Sequence, residues 1–425
     1  MEPRAKITAA RAACHLVGPG HLYSGALASQ NSRVFIERAL LFLTCLVVAA
    51  GCESHALDAH AGHGGSTSTA AGGSPAVAPP PFSSATLTPL YEAPPRWSAT
   101  ALDFDPARSG ELWVTLRQFP DARPCNTPED QQSGCSALVG QVALVKQAPS
   151  VPEMALERDG NGWHFLRRPT AIAFGDNGNL STCGEARTDN YEDDPVDYAG
   201  PVLWSSDPAI FGAKPTPEQN GTHLDMLHET PYCMGIAHDA ANAYFTFNGK
   251  LGAIDHYDFN HPHAIGGADH ADGELARYVE GALLRQPEVP SQMAFDAATR
   301  ELYVADTGHQ RVVRLNVDTG TRGADIVVID PMAAHYSVDG ALLEEVVAPG
   351  HLELPSGLAL VGEYLLVTDN ATSRVHWFDR DGRPQGSLDT GLKPGSLAGI
   401  RVGPDGKLYL ADLLSGNAYR VEMTQ

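Results

Sequence analysis

The sequence predicts an all-β protein whose folded part is a single β-propeller of about six four-stranded blades. Its composition is the first reason, because 42 glycines and 31 prolines with only 19% charged residues indicate many turns and short strands. The second reason is a set of internal repeats that share one order of strand-like segments. The third is the alternation of apolar and polar residues within those segments, which is typical of strands buried on one face.

The clearest repeats lie between residues 290 and 425. A predicted second strand that ends in aspartate occurs three times, at residues 301–306, 364–369 and 407–412. Each copy follows a predicted innermost strand, at residues 290–296, 354–360 and 396–402. Each copy precedes a predicted third strand, at residues 311–315, 374–378 and 418–422. These repeats predict three consecutive blades.

Weaker copies of the same pattern lie earlier in the chain. They begin near residues 99, 168 and 232, and each pairs an apolar strand with a second strand after a turn. Together with the three clear copies, they give about six blades and place the propeller at residues 91–425.

The N-terminal residues 1–51 read as a leader with a secretory signal peptide. Arg33 and Arg38 precede an apolar run at residues 39–50, which is too short to span a bilayer and suits the central region of such a signal. We therefore expect export. Residues 52–90 are rich in Ala, Gly, Ser and Pro, cannot bury a core, and are predicted to be a flexible tether.

The end of the apolar run, Ala49-Ala50-Gly51-Cys52, resembles the lipobox of bacterial lipoproteins. The resemblance implies that Cys52 becomes the mature N-terminus, carries a diacylglyceryl group and anchors the chain to a membrane. It places the protein in the bacterial cell envelope, on the periplasmic or cell-surface side. An ordinary secretory signal is the alternative.

Four cysteines follow the tether, and an even number in an exported protein suggests two disulfides. Cys125 and Cys135 bound a loop rich in Pro, Asp and Gly, which a local bridge would close. That leaves Cys183 to pair with Cys233. The body contains no CxxC pair, so a zinc ribbon or a thioredoxin-like role has little support.

Residues 302–315 resemble the repeat of the NHL family of propellers. The match includes Asp306 and Arg311, and Asp369 and Arg374 repeat the same spacing, whereas the last blade has Asn417 where the arginine would stand. The resemblance implies an ion pair across the turn between the second and third strands. Such a pair would pin the hairpin, so its role would be structural.

Propeller geometry also relates sequence position to the two faces of the disc. We call the face from which each innermost strand starts the upper face, and the turn between second and third strands returns to it. We expect the following residues at or near strand starts or upper turns, around the central channel: Arg168, His223, His228, Gln292, His309 and His351. Histidines that converge there would suit zinc or another transition metal.

A more distant similarity is to the peptidylglycine α-amidating lyase, a propeller that holds zinc with channel histidines. The resemblance implies that His228 and His351 are ligands. Gln292 stands where a third histidine would complete the set, and an amide oxygen is a poor zinc ligand. Polar residues that line a water-filled channel are the alternative.

A second concentration of candidate ligands lies between residues 256 and 274. His263, His270, Asp269 and Asp272 would suit zinc, manganese or iron together, whereas the carboxylates alone would suit calcium. This loop joins the third and fourth strands of its blade and should therefore lie on the lower face. The alternative is a polar insertion held by its own hydrogen bonds.

Charge and motifs leave two classes of function open. The net charge of -22 argues against nucleic-acid binding, and the chain has no GxSxG, HExxH or phosphate-binding GxxxxGK[ST] motif. In the first class, a surface-anchored binding or scaffolding module presents its upper face to a protein, peptide or glycan. In the second, a propeller enzyme uses one divalent metal, either zinc in a lyase-like site or calcium in a site resembling that of gluconolactonases.

Overall fold

Six β-sheets stand in a ring around a central channel in the computed structural model, which makes the protein a six-bladed β-propeller. The structure describes residues 84–118, 140–146, 148–186, 200–214, 216–217 and 219–424. The predicted leader, Cys52, Cys125 and Cys135 lie outside these residues. No helix in the described part of the chain is long and apolar enough to cross a membrane.

The first half of the described chain forms the first three blades. The strand β1 (Ser84–Pro89) precedes them. Blade 1 contains β2 (Trp97–Phe104), β3 (Leu112–Gln118), β4 (Gly140–Lys146) and β5 (Glu153–Glu157). After the short helix α1 (Gly162–Phe165), blade 2 contains β6 (Pro169–Phe174), β7 (Asn179–Gly184), β8 (Gly200–Ser205) and β9 (Asp225–Thr230). Blade 3 contains β10 (Cys233–Ala240), β11 (Ala243–Asn248), β12 (Ala253–Asp258) and β13 (Glu274–Tyr278).

The second half forms the remaining blades and one insertion. Blade 4 contains β14 (Met293–Asp296), β15 (Glu301–Asp306), β16 (Arg311–Asn316) and, after the inserted strands β17 (Thr321–Asp325) and β18 (Ala334–Asp339), β19 (Leu342–Val347). Blade 5 contains β20 (Pro355–Val361), β21 (Tyr364–Asp369), β22 (Arg374–Asp379) and β23 (Pro384–Asp389). Blade 6 contains β24 (Leu397–Val402), β25 (Leu408–Asp412) and β26 (Ala418–Thr424).

Strand β1 closes the ring. It pairs antiparallel with β26, from Ser84 opposite Thr424 to Pro89 opposite Tyr419, and so supplies the outermost strand of blade 6. The propeller therefore begins at Ser84, within the segment whose composition predicted a tether up to residue 90. Because β1 precedes blade 1 and β26 belongs to blade 6, this pairing ties the first and last blades together.

The inserted strands extend the sheet of blade 3 to six strands. β18 lies parallel to β13, with Ala334 opposite Glu274, and β17 forms the new edge. The segment before β18 reaches blade 2, where the amides of Ile329 and Asp330 donate to the carboxylate of Glu229. The insertion thus belongs to blade 4 in sequence and covers the outer strands of blades 2 and 3.

The innermost strands approach each other so closely that glycine is required at some contacts. A Cβ atom on Gly235 of β10 would lie 2.0 Å from the carbonyl oxygen of Ser291, just before β14. A Cβ atom on Gly357 of β20 would lie 2.3 Å from the carbonyl oxygen of Ala398 in β24. Both distances are far below van der Waals contact. Farther out, large apolar side chains such as Trp113 and Phe211 fill the space between blades.

The predicted aspartate–arginine pair is confirmed in blade 4. Nε of Arg311 lies 2.7 Å from Oδ2 of the buried Asp306. Oδ1 of Asp306 also accepts a hydrogen bond of 2.8 Å from the amide of Leu284, in the segment that leads to the innermost strand. The aspartate therefore fixes both the turn and the incoming chain.

The corresponding pair in blade 5 does not form, so that prediction was wrong. Asp369 instead accepts hydrogen bonds of 3.0 Å from the amides of Glu353 and Leu354. Arg374 turns outward and pairs with Asp389 at 2.9 Å, because the fourth strand of its own blade offers an exposed carboxylate there. Asp369, like Asp306, thus binds the segment that leads to the innermost strand, whereas Arg374 pairs with Asp389 instead of Asp369.

The predicted disulfide between Cys183 and Cys233 is confirmed. It joins β7 of blade 2 to the first residue of β10 in blade 3, with a Cα–Cα distance of 5.7 Å. The bridge between Cys125 and Cys135 stays a prediction, since both residues lie outside the described part of the chain.

Candidate functional site

A group of five charged side chains lies at the upper end of the channel. We call it the upper-mouth cluster and define it as Arg117, Arg168, Glu185, Arg285 and Glu288. Blades 1 and 2 and the segment leading into blade 4 each contribute. The buried carboxylate of Glu185 lies at its centre, 3.3 Å from Nη1 of Arg117 and 2.6 Å from Nη1 of Arg285. Three guanidinium groups thus face two carboxylates.

Glu288 is the outermost member of this cluster. Its side chain is 58% exposed, and its carboxylate pairs with Arg168 and, at 3.1 Å, with Arg117. Its backbone has a φ of 70°, a left-handed conformation that is unusual for glutamate, and its amide donates to both carboxylate oxygens of Glu185. Burial lowers the pKa of Arg117, while Glu288 and Glu185 act in the opposite direction.

Two further residues shape the upper mouth. The guanidinium of Arg285 lies over the ring of Tyr232, with Cζ 3.9 Å from the ring centroid, which fixes its plane. Gln292 is buried, and its Nε2 donates to the carbonyl oxygen of Thr170 at 2.7 Å. Among the described residues its Oε1 has no hydrogen-bonding partner. Gln292 therefore acts as a polar lining residue, in agreement with its predicted position.

The lower part of the channel holds a cavity of about 300 Å³ between the innermost strands. Two charged side chains that line this cavity form an ion pair, with Nε of Arg401 3.1 Å from Oδ1 of Asp103. The histidine that lines this cavity is His238, which our sequence analysis did not single out. None of the four histidines predicted for the channel lies along it.

The structure does not bring the four predicted channel histidines together. His228 lies in β9, the outermost strand of blade 2, because the next innermost strand starts only at Cys233; its Nδ1 is 2.9 Å from Asp330. His351 is exposed, and its ring lies 6.3 Å from that of Phe378. His309 does lie in an upper turn, but its Nδ1 pairs with Asp306 at 2.8 Å.

His223 lies on the lower side of the propeller, where it meets His263 and His270. We call these three residues the histidine trio. One ring nitrogen from each histidine lies within 4.8 Å of those of the other two. The trio is the only group of three or more His, Cys, Asp or Glu side chains in the described part of the chain that is close enough to hold a metal ion. The ring centroids of His223 and His263 are 4.9 Å apart, and those of His263 and His270 are 5.1 Å apart.

The trio forms because two loops from neighbouring blades pair through their backbones. His223 ends the loop between the third and fourth strands of blade 2, and His263 and His270 belong to the equivalent loop of blade 3. The amide of Gly266 donates to the carbonyl oxygen of His223 at 2.9 Å, and the amide of His263 donates to Leu224 at 3.1 Å. The buried pairing leaves His223 1% exposed.

Each imidazole of the trio uses its Nδ1 atom in a hydrogen bond to an oxygen. The partners are the carbonyl oxygen of Asn220 for His223, at 2.9 Å, and that of Ala264 for His263, at 2.6 Å. Nδ1 of His270 lies 2.8 Å from Oδ1 of the buried Asp225. Because carbonyl oxygens only accept, Nδ1 carries the proton in His223 and His263, and Nε2 is then the nitrogen with a free lone pair.

Its buried position keeps His223 neutral. Burial and the neighbouring His263 and His270 lower the pKa of His223 to about 3. Burial, together with His228, His223 and His270, lowers the pKa of the nearby His164 to about 2. Phe165 stacks on His223 with the ring centroids 3.9 Å apart, which forms an apolar wall on that side.

The carboxylates predicted to join this site are used elsewhere. Asp272 accepts a hydrogen bond of 3.0 Å from the amide of His261, and Asp269 accepts one from the amide of Ala271 at 3.3 Å. Both hold the loop itself, and neither belongs to the trio. The two predicted histidines, His263 and His270, are therefore joined by His223 rather than by Asp269 and Asp272.

A cleft of about 580 Å³ opens beside the trio. His263 lines it, together with His261, Asp269, Ala271, Asp272 and Ala333. The cleft gives the loop an accessible side opposite the buried His223.

The known proteins that the chain resembles are distant from it in sequence and structure. No family model and no curated protein sequence matches the chain. Among solved structures, an auxiliary nutrient binding protein from Bacteroides thetaiotaomicron has a TM-score of 0.49 at 9% identity, over 77% of this chain and 69% of that chain. One from Bacteroides ovatus has a TM-score of 0.47 at 11% identity, over 81% and 78%. Streptogramin B lyase has a TM-score of 0.44 at 10% identity, over 81% and 99%.

Proposed function

We propose that this protein is a lipid-anchored binding module of the bacterial cell envelope, whose upper mouth binds a carboxylate-bearing ligand such as an acidic peptide segment. The observation that carries the proposal is the upper-mouth cluster, in which three guanidinium groups face two carboxylates among the described side chains. Arginine binds carboxylates through paired, charge-assisted hydrogen bonds. In a chain with a net charge of -22, three arginines gathered at one mouth mark a preferred position for an anion.

Glu288 indicates how a ligand would bind. Its exposed carboxylate already occupies the side of Arg117 and Arg168 that faces solvent. A ligand carboxylate that replaced it would keep both guanidinium groups paired, while the freed Glu288 side chain would regain solvent contact. Glu185 would stay in place because it is buried and binds Arg285 as well. Binding is thus an exchange of one carboxylate for another.

Membrane attachment would come from the predicted lipid on Cys52. The anchor precedes the first described strand, β1, and the propeller follows as one closed ring. The chain would therefore present the propeller from a membrane surface, as a binding or scaffolding module requires.

The proposal is tested by fluorescence polarisation with a labelled oligoglutamate peptide and the full-length protein. Loss of one charge-assisted pair costs about 1.5 to 3 kcal/mol, so Arg168→Gln should weaken binding by roughly 10-fold or more. Glu288→Gln removes the competing carboxylate and should tighten binding. The two variants therefore change the dissociation constant in opposite directions.

Arg322→Gln is the matched control, because Arg322 is 57% exposed and lies in the inserted strand β17. It should bind the peptide like the unmodified protein. Equal binding by Arg168→Gln and the control would remove the upper mouth from consideration. Binding of an oligouronic acid in place of the peptide, with the same response to the variants, would assign the site to an acidic glycan.

A further inference from the structure

We propose that the histidine trio, His223, His263 and His270, binds one transition-metal dication of the zinc type between the lower loops of blades 2 and 3. This site is separate from the upper mouth and does not depend on the function proposed for it. It also differs from the channel site and from the mixed histidine–aspartate site that the sequence suggested.

The ligand set is the first argument. One ring nitrogen of each histidine lies within 4.8 Å of those of the other two, and imidazole nitrogen is a preferred ligand of zinc and its neighbours in the periodic table. Calcium and magnesium prefer oxygen ligands, so the trio selects against them. Bonds to zinc of about 2.0 Å require the nitrogens to come closer by roughly 1.5 Å. The two loops that carry the histidines would therefore move slightly closer together when a metal binds.

The second argument is the hydrogen bonds on the far side of each ring. Histidines that bind metals almost always donate their other ring N–H to a carbonyl, a carboxylate or water, which fixes the tautomer and the ring plane. Here all three Nδ1 atoms lie within hydrogen-bonding distance of an oxygen, in Asn220, Ala264 and Asp225. Each ring therefore keeps Nε2 as the nitrogen available to a metal.

Two buried atoms without partners point to the same place. Nε2 of His263 is buried and has no hydrogen-bonding partner among the described residues. The same holds for Oδ2 of Asp225, a carboxylate that is 1% exposed and bonded through its other oxygen to His270. Unpartnered buried polar atoms are costly. A dication would satisfy the first atom directly and the second by its charge.

The site also has an access path and a scaffold. The cleft is lined by His263, so the trio borders on an open space through which a metal could approach. On the opposite side, the buried Asp159 accepts hydrogen bonds from the amide and hydroxyl of Thr222, at 2.7 Å and 2.6 Å, which fixes the residue before His223. This contact holds His223 in place.

The test uses zinc alone as the probe and full-length protein freed of metal with a chelator. Zinc bound per chain is measured by elemental analysis after dialysis, and affinity by competition with a chromophoric chelator. We expect one zinc per chain. His263→Ala and His270→Ala should each weaken binding by at least 100-fold, and the double variant should retain no zinc after dialysis.

His261→Ala is the matched control, because His261 belongs to the same loop, is 95% exposed and lies outside the trio. It should bind zinc like the unmodified protein. Circular dichroism of the metal-free proteins shows whether each variant is folded. A second readout is cobalt, whose visible absorption spectrum should appear with the unmodified protein and be lost in the double variant. Absence of stoichiometric zinc, or equal zinc in the double variant and the control, would overturn the proposal.

Discussion

His270 and Asp225 belong to neighbouring blades, and Nδ1 of His270 lies 2.8 Å from Oδ1 of Asp225. Asp225 begins the fourth strand of blade 2, whereas His270 lies in the loop before the fourth strand of blade 3. Burial raises the pKa of Asp225, while the hydrogen bond from His270 acts against this shift. The contact therefore joins two blades and orients one member of the trio.

The first prediction is that Asp225→Asn weakens zinc binding. The carboxylate makes the His270 imidazole a better ligand and adds negative charge beside the metal, and loss of such a partner typically costs about 10- to 100-fold in affinity. The measurement is the zinc dissociation constant of the variant. Asp269→Asn is the control, because Asp269 lies in the loop that carries His270 but does not belong to the trio. If both variants bind zinc equally, Asp225 does not position the ligand.

The second prediction concerns the leader. Cys52→Ser should abolish the proposed lipidation, because the Cys52 thiol is the predicted acceptor of the diacylglyceryl group. The precursor should then accumulate, as it should in cells treated with globomycin, which inhibits the lipoprotein signal peptidase. Immunoblots of membrane and soluble fractions provide the measurement. A mature, fully soluble product from the unmodified gene would instead support an ordinary secretory signal.

The sequence was sufficient for the fold because propeller blades repeat in sequence as well as in space. The inner strands of blades 4 to 6 were found within a few residues of β14, β20 and β24. Strand β1 was missed because Ser84–Pro89 follows a Pro- and Ala-rich segment, and its strand character depends on pairing with β26, more than 300 residues away.

The histidine trio was missed for a different reason. His263 and His270 stood out by density, but His223 lies 40 residues earlier and is joined to them only by the packing of two loops. A usable signal did exist, because both loops follow the third strand of their blades and so reach the same side. Recognising β8 as the third strand of blade 2 would have placed His223 there.

The third prediction is that the bridge between Cys183 and Cys233 stabilises the propeller. It closes a loop of 50 residues and should contribute about 2 to 4 kcal/mol. Denaturant unfolding of Cys183→Ser under oxidising conditions measures the loss of unfolding free energy. Peptide mapping of the unmodified protein without reduction tests the second predicted bridge, between Cys125 and Cys135. An unchanged unfolding free energy would show that the bridge does not constrain the unfolded chain appreciably.

The fourth prediction compares two arginines at equivalent positions. Arg311 binds the buried Asp306, so Arg311→Ala leaves a buried carboxylate short of a partner and should cost about 1.5 to 3 kcal/mol of unfolding free energy. Arg374 binds the exposed Asp389, so Arg374→Ala should cost at most about 1 kcal/mol. Denaturant unfolding of both variants provides the comparison. Equal losses would mean that the blade 4 pair is no more than a surface contact.

The fifth prediction is a pH dependence that arises at Asp239, the residue before the end of β10. Its carboxylate lies 2.6 Å from Nη1 of Arg300 and 3.0 Å from Nε2 of His256. Burial raises the pKa of Asp239, but the hydrogen bonds from His256 and Arg300 outweigh it and lower the pKa to about 2. An unfolded aspartate has a pKa of about 3.9. The folded state therefore prefers the charged form.

Because the folded pKa is the lower one, the stabilisation is fully present above about pH 4 and is lost as the pH falls through about 2. Asp239→Asn should lower the unfolding free energy at pH 7 by about 1.5 to 3 kcal/mol, the range for hydrogen bonds to a charged group. Urea unfolding of both proteins from pH 7 down to pH 2.5 should show this difference narrowing below pH 4. Asp318→Asn is the control, since Asp318 also binds Arg300 but is 62% exposed, and its effect should be small throughout. A difference between Asp239→Asn and the unmodified protein that stays constant with pH would show that the carboxylate charge is not what stabilises this contact.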